Sequence, residues 1–238
     1  MKTHQPPSAL KLPFQFDKEK LENDLVTLLA SNWKPHFNNR VYEGNWNSIA
    51  LYAVDGDQSN IYANGNEELK ETPLLNDIHY IKEVINQFKC RLISVRLLKL
   101  DIGAYIKPHR DYNLGYEDGN FRLHIPIATN PDVNFILDGQ RIEMKIGECW
   151  YTNVNYVHSV SNEGKSDRVH LVIDCARNEW TDNIFFALAP KDSYSPKVEE
   201  DYSLDAMKGI INELKLMGTD GAADVIQDLR NKIKDLKE

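Results

Sequence analysis

Three things are scarce in this chain of 238 residues. Cysteine appears only three times, at Cys90, Cys149 and Cys175, without C-x-x-C spacing. That excludes a disulfide framework and gives no support to a thiolate zinc site; the three read as reduced, mostly buried thiols. No apolar run approaches the roughly 20 residues of a membrane span, and the N-terminus, Met1-Lys-Thr-His-Gln-Pro-Pro, lacks the apolar segment of a signal peptide. The expected location is cytoplasmic, with no membrane partner. Positive charge is also short: 28 Lys and Arg face 36 Asp and Glu, for a net charge of −8. This argues against a general nucleic-acid binder. There is no internal repeat and no low-complexity tract. The apolar share of 42% is enough for one sizeable core.

Periodicity divides the chain. Residues 17–30 read as an amphipathic helix capped by Asp17, with Leu21, Leu25, Leu28 and Leu29 as its stripe. Thr72-Pro73 opens a second helix that buries Leu74, Ile78, Ile81, Ile85 and Phe88. From Arg91 to Cys175 the pattern becomes short β-like runs, at 91–100, 104–109, 121–129, 133–138, 140–146, 148–153, 156–161 and 167–175, with Asp138-Gly139 as a hairpin turn. Eight short strands with close turns predict a sandwich or jelly roll. The fold class expected is mainly β with flanking helices: a double-stranded β-helix over residues 1–185 and a helical appendage over 186–238. In the appendage, Ser203 caps a helix bearing Met207, Ile210, Ile211, Leu214 and Met217, closed by Gly218; Asp220 caps another bearing Val225, Ile226, Leu229, Ile233 and Leu236. These stripes read as packing surfaces or a homodimer contact.

The chemistry concentrates in Pro108-His109-Arg110-Asp111, answered by His158 and then Arg168. His109 and Asp111 are i, i+2 and share one face of a strand. Two neutral imidazoles and one carboxylate are the ligand set of a mononuclear non-haem iron(II) site, which leaves metal positions open for a co-substrate and O2. A basic residue placed as Arg168 is, relative to the distal histidine, suits the far carboxylate of 2-oxoglutarate. His-x-Asp also occurs by chance at surfaces. Here it ends an apolar alternating run and precedes a Gly/Asn/Asp-rich loop, which favours a ligand pair at a barrel mouth. Two strands repeat one pattern, Arg122-Leu-His124 and Arg168-Val-His170. Arg and His share a face in each, so both guanidiniums are expected in one inward pocket that suits two carboxylates. His124 is open between metal ligand, hydrogen-bond donor and satisfied core histidine; His170 reads as structural, and His4, His36 and His79 as unrelated to the site. Tyr42, Trp46, Tyr112 and Trp150 are candidates for the pocket wall, and Arg40 for a further carboxylate anchor.

The stretches Pro108–Tyr112, Arg122-Leu-His124, Gly147-Glu-Cys-Trp-Tyr151, His158-Ser159 and Arg168–Asp174 together resemble the aspartyl/asparaginyl β-hydroxylase family of 2-oxoglutarate-dependent dioxygenases, and within it the small bacterial L-proline cis-4-hydroxylase type. The resemblance implies a double-stranded β-helix. It implies His109 and His158 as iron ligands, with Asp111 completing the triad, and Arg168 on the distal carboxylate. It implies Arg122 and His124 as contacts to substrate or co-substrate carboxylates. Asp111 favours the amino-acid hydroxylase branch and, by occupying the position that halogenating relatives use for halide, favours hydroxylation. Where peptide-acting relatives place a Ser, this chain has Leu98, so the second anchor of 2-oxoglutarate is not carried over. The expected reaction is hydroxylation of an unactivated C–H bond of a free L-amino acid, proline or another, with release of succinate and CO2; Tyr112 and Trp150 join Arg122 as expected substrate contacts. The alternatives are a β-hydroxylase of Asp/Asn residues in a peptide or protein, a non-catalytic cupin-like metal-binding or sensor module, and an interaction protein working through its helices.

Overall fold

The computed structural model describes residues 5–62, 67–194, 204, 207–211, 226, 229, 230 and 233. The chain divides into two compact units, Met1–Ser195 and Pro196–Glu238. In the first the elements run β1 (Ala9–Gln15), α1 (Lys18–Leu28), β2 (Lys34–Pro35), β3 (Tyr42–Glu43), β4 (Trp46–Ala53), β5 (Lys70–Glu71), α2 (His79–Ile85), β6 (Leu92–Leu100), β7 (Tyr105–His109), β8 (Asn120–Ala128), β9 (Val133–Leu137), β10 (Gln140–Arg141), β11 (Glu148–Thr152), β12 (His158–Asn162), β13 (Arg168–Ala176) and α3 (Glu179–Leu188).

The strands form two antiparallel sheets. The larger has the order β1-β11-β8-β13-β6-β4-β2, with β5 beside β4; the smaller has the order β10-β9-β12-β7-β3. The jelly roll expected from the short strands is present. Alternation along each strand explains its two cores. Leu97, Leu123, Ile125, Leu171 and Ile173 pack in one cluster with Leu21, Leu25 and Leu28 of α1, Ile81 and Ile85 of α2 and Phe185 of α3. Leu98, Leu100 and Val172 of the larger sheet join Ile106, Phe135, Leu137 and Val160 of the smaller in the second. Strand β13 is therefore covered on both faces, and all its residues up to Cys175 are buried.

Local chemistry sets the boundaries. Asp17 accepts the Lys20 N–H at 3.1 Å, the expected N-cap. Leu28 is buried but Leu29, one residue further round the helix, is 56% exposed and leaves the expected stripe. The expected second helix is two pieces. Pro73–Asn76 is a single 3-10 turn, the non-helical backbone of Ile78 breaks the run, and α2 begins at His79. Its start is satisfied from α1, where Asp24 accepts the Ile81 N–H at 2.8 Å. Asp138 and Gly139 both take positive φ, 51° and 74°, as a two-residue hairpin between β9 and β10 requires. The expected strand at 140–146 pairs only through Gln140 and Arg141. Beyond Ser195, residues 207–211 are helical with Met207 and Ile211 buried, and residues 226, 229, 230 and 233 are helical. Ser203, Leu214, Met217, Gly218, Asp220, Val225 and Leu236, with the homodimer contact expected of these helices, lie outside the described residues. The first unit extends past the expected break at residue 185 because α3 packs into its core, where the ring of Phe185 stacks on Tyr116 at 3.7 Å. Among the described residues no helix is long and apolar enough to cross a membrane.

Gly147 sits at φ 80°, and a Cβ there would collide with the Phe16 carbonyl oxygen, whose residue donates its own N–H to the Gly147 carbonyl at 2.8 Å. Gly147→Ala is expected to destabilise the fold by more than about 1 kcal/mol, read as a lower urea midpoint with unchanged slope; an unchanged midpoint would contradict this backbone assignment.

Candidate metal centre and its two cavities

His109 ends β7 and His158 begins β12, and these residues face each other directly in the antiparallel register. Cross-strand neighbours share a face, so the imidazoles stand with ring centres 4.2 Å apart. Two residues on, the Asp111 N–H is held by the Val154 carbonyl at 2.9 Å, tying the loop after β7 to the approach to β12. Ligand atoms of His109, Asp111 and His158 all fall within 4.8 Å of one another, the one such cluster among the described residues.

Each imidazole is oriented through its second nitrogen. His109 Nδ1 lies 2.8 Å from the Lys107 carbonyl and His158 Nδ1 lies 3.1 Å from that of Tyr156. A carbonyl only accepts, so Nδ1 carries the proton in both rings, and each Nε2 presents a lone pair. Burial, reinforced by His109, pushes the His158 pKa down to about 4 and keeps the ring neutral at pH 7. For Asp111, burial opposes ionisation, but the Arg122 charge with His158 and His109 holds its pKa below the ordinary carboxylate value. Two imidazole nitrogens and one carboxylate, all within 4.8 Å of one another, fit a divalent iron.

The Arg-x-His pairs face inward, as their alternation predicts. In the strand register Arg122 stands opposite Asp174 and His124 opposite Val172. Arg122 Nε donates to Asp174 Oδ1 at 2.7 Å and Nη2 to Oδ2 at 3.1 Å, while Nη1 donates to Asp111. Arg96 Nη2 donates to the same Asp174 Oδ2 at 3.2 Å, and its Nη1 to the Ile61 carbonyl at 3.0 Å. Arg122 thus holds two carboxylates already present in the chain, and its guanidinium is not a free fork awaiting ligands.

Arg168 is different. It is 2% exposed and meets no acidic group among the described residues; Nη2 donates to His170 Nδ1 at 2.9 Å and Nε has no partner among them. Burial lowers its pKa to about 9. A guanidinium taken from water without a counter-ion is destabilising by several kcal/mol, which makes this a seat for an anion. A cavity of 30 Å³ runs between the triad and Arg168, walled by Leu98, Ile106, Val160 and His124. The His124 ring is buried, Nδ1 lacks a partner, and burial with the charges of Arg168 and Arg122 keeps it neutral. A second cavity of 290 Å³ opens on the other side of the triad, lined by Arg96, Arg122, Trp46, His36, Phe37 and Tyr62 among others.

His36, which the sequence set apart from the site, belongs to this outer cavity. It stacks on Trp46 at 3.6 Å, and burial together with the Arg96 charge lowers its pKa to about 3. The signal missed was the pairing of β2 with β4, which the two-residue β2 does not advertise. Arg96 was missed too, because it interrupts an apolar strand by a single residue. Three expected wall residues are elsewhere. Tyr42 stands edge-on to Trp46 at 5.6 Å and lines neither cavity. Tyr112 is 76% exposed in the turn that follows β7 and lines neither cavity. Trp150 packs at the edge of the inter-sheet core with its Nε1 donated to Glu148 at 2.9 Å, and it too lines neither cavity.

Comparison with known proteins identifies the family. The family model for aspartyl/asparaginyl β-hydroxylase matches residues 15–178. The chain belongs to this family. It is a dioxygenase that uses iron(II) and 2-oxoglutarate. It is 26% identical over 192 residues to an L-proline cis-4-hydroxylase of Rhizobium meliloti (strain 1021), covering 78% of this chain and 68% of that protein. Its fold is similar to a 2OG-Fe(II) oxygenase family oxidoreductase of Burkholderia pseudomallei, with 12% identity and a TM-score of 0.50 over 72% of this chain and 86% of the other.

Two stability predictions follow from the buried charges. Asp174→Asn removes the carboxylate shared by Arg96 and Arg122 and is expected to cost about 3–5 kcal/mol in urea unfolding, against less than about 1 kcal/mol for Glu71→Gln, which breaks the exposed pair with Lys82. The pH dependence has a definite sign. Between about pH 6.5 and 4 the unfolded chain takes up protons on His36 and His158 that the native state refuses. Metal-free protein should therefore lose about 2 kcal/mol per such histidine on going from pH 7 to 5, and a urea midpoint that stays constant over that interval would refute it.

Proposed function

We propose that this protein hydroxylates a free L-amino acid, with His109, Asp111 and His158 as the iron ligands and Arg168 as the anchor of 2-oxoglutarate. The observation that carries the reading is that one cavity joins a three-donor metal set to a buried guanidinium lacking any acid. Iron(II) bound there would supply the O2 activation that couples oxidative decarboxylation of 2-oxoglutarate, to succinate and CO2, with oxidation of a C–H bond.

The chain's own residues orient and exclude. Arg122 and the Val154 carbonyl hold Asp111 in place. Lys107 and Tyr156 carbonyls fix the imidazole tautomers. Arg168, with His124 beside the same cavity, offers N–H donors to the distal carboxylate, and Leu98, Ile106 and Val160 keep the passage dry. Filling that passage with a five-carbon acid requires its lining to move apart.

Charge favours a substrate bearing a carboxylate. Arg96 and Arg122 are offset by Asp174 and Asp111. A divalent metal and Arg168 add positive charge that a dicarboxylate co-substrate offsets only in part. The outer cavity offers that remaining positive charge to the substrate carboxylate and the faces of Trp46, Phe37 and Tyr62 to an ammonium group. Its 290 Å³ suits a small molecule. The 26% identical L-proline cis-4-hydroxylase supports proline or a similar amino acid, and a cytoplasmic location agrees with the three free cysteines.

Anaerobic addition of Fe(II) and then 2-oxoglutarate to the apoprotein is expected to produce a visible metal-to-ligand charge-transfer band. His109→Ala should abolish it, and Arg168→Ala should raise the 2-oxoglutarate requirement at least ~100-fold, as loss of a charge-assisted pair implies. Succinate release should be stimulated by a free amino acid. Stimulation by Asp- or Asn-containing peptides instead would transfer the reading to residue hydroxylation, and iron binding without a band would leave only a metal-binding module.

A further inference from the structure

Of the three metal donors, Asp111 alone lies outside a strand. The antiparallel register sets His109 opposite His158, but β7 ends at His109, so no ladder bond places the carboxylate. A turn holds it instead. Three successive carbonyls of the segment Asn153–Tyr156 address the ligands. Val154 accepts the Asp111 N–H at 2.9 Å, Asn155 accepts Arg110 Nη1 at 2.6 Å, and Tyr156 lies 3.1 Å from His158 Nδ1. Arg110 is the residue between His109 and Asp111. The turn is itself anchored in the interior. Asn153 is 0% exposed, and its Nδ2 donates to both oxygens of Glu117, at 2.9 and 3.2 Å, where Glu117 is 5% exposed. Asn153 Oδ1 accepts the Asn155 N–H at 3.2 Å, and Asn155 Nδ2 donates to Asp118 at 2.6 Å. Gly115 permits this close approach: a Cβ there would stand 2.5 Å from Asn155 Nδ2 and 2.6 Å from Glu117 Oε1. A carboxylate and a carboxamide are costly groups to bury for packing alone. Here the pair fixes the origin of the turn that carries the ligand contacts.

We infer that the turn Asn153–Tyr156 is the positioning element of the metal centre, with Arg110 and Asn153, the latter seated on Glu117, as positioning residues that keep Asp111 beside the two histidines. The inference rests on the proposed ligand roles of His109, Asp111 and His158. Arg122 holds the Asp111 side chain from the larger sheet, and the turn holds its backbone. With both in place the donor set is formed before a metal arrives. With the turn displaced, the carboxylate is free to leave while the imidazole pair, fixed by the ladder, stays. Partners that orient a metal ligand are worth about 10–100-fold in metal affinity.

The test is titration of the full-length, metal-free protein with Co(II), which takes nitrogen and oxygen donors and whose visible absorption reports them. Asn153→Asp sets two buried carboxylates against each other and should weaken Co(II) binding at least ~10-fold. Adding Glu117→Gln to Asn153→Asp restores a donor facing an acceptor, and this double variant should return to within ~3-fold of the wild type, a non-additivity expected of residues in contact. Arg110→Ala changes an exposed residue; it should weaken binding by about 3–10-fold and move the Co(II) spectrum toward that of Asp111→Ala. Asp17→Ala removes the cap of α1 and should lower the urea midpoint while leaving Co(II) affinity and spectrum unchanged, which separates a displaced ligand from a general loss of stability. If Asn153→Asp does not fold, Arg110→Ala decides alone. Wild-type affinity and spectrum in Arg110→Ala, or a folded Asn153→Asp that the second substitution does not rescue, would overturn the inference. Co(II) binding left equally tight by Asp111→Ala would overturn the ligand roles themselves, and the inference with them.

Discussion

A single buried carboxylate organises the interior. Asp174 lies on the central strand β13 and accepts from Arg122 on one neighbouring strand and Arg96 on the other. Arg122 then reaches across the space between the sheets to Asp111. The larger sheet thereby grips the loop that follows β7, and the metal cluster, borne by the smaller sheet, is aligned with the pocket floor. Pairing strong charges in a low-dielectric interior is tolerable only when each partner is satisfied. Here the chain Arg96–Asp174–Arg122–Asp111 satisfies its carboxylates, and the sheets cannot shift relative to each other without breaking it.

That closed network gives meaning to the exception. Arg168 occupies the same inward face of the same strand, yet no acid meets it. Two of the three buried arginines are thus met by acids, and the third is matched by none among the described residues. Neutral histidines surround it: burial holds His124 and His170 unprotonated, so neither competes with the ligand as a second cation. The two sheets divide the work. The smaller contributes His109 and His158 as a cross-strand pair, and the larger contributes the cations and the apolar wall.

Much of this was legible because alternation on a strand is a rigid rule. Arg122 with His124 and Arg168 with His170 each lie two residues apart on one strand and share the face that period two assigns them, whereas β7 ends at His109 and the loop that follows brings Asp111 to the same point. The hairpin at Asp138-Gly139 was legible because only small or Asx residues accept its positive φ. Tyr112 and Trp150 were misjudged for a related reason. Aromatic character says that a side chain prefers burial, not which cavity it meets. Tyr112 lies in an exposed turn after β7, and Trp150 is tied down by Glu148 at the edge of the core.

The residues by themselves determined the donor set, the strand periodicity and hence the class of chemistry, because metal ligation and guanidinium recognition depend on residue type and on spacing along one strand. Only the tertiary structure decided which strands adjoin. The order β8-β13-β6 is what puts Asp174 between two arginines, and the pairing of β2 with β4 is what brings His36 to the outer cavity. It also decided that the buried Arg168 meets no acid among the described residues. Such non-local contacts arise from the packing of whole sheets and the closure of long loops, and no local pattern along the chain encodes them.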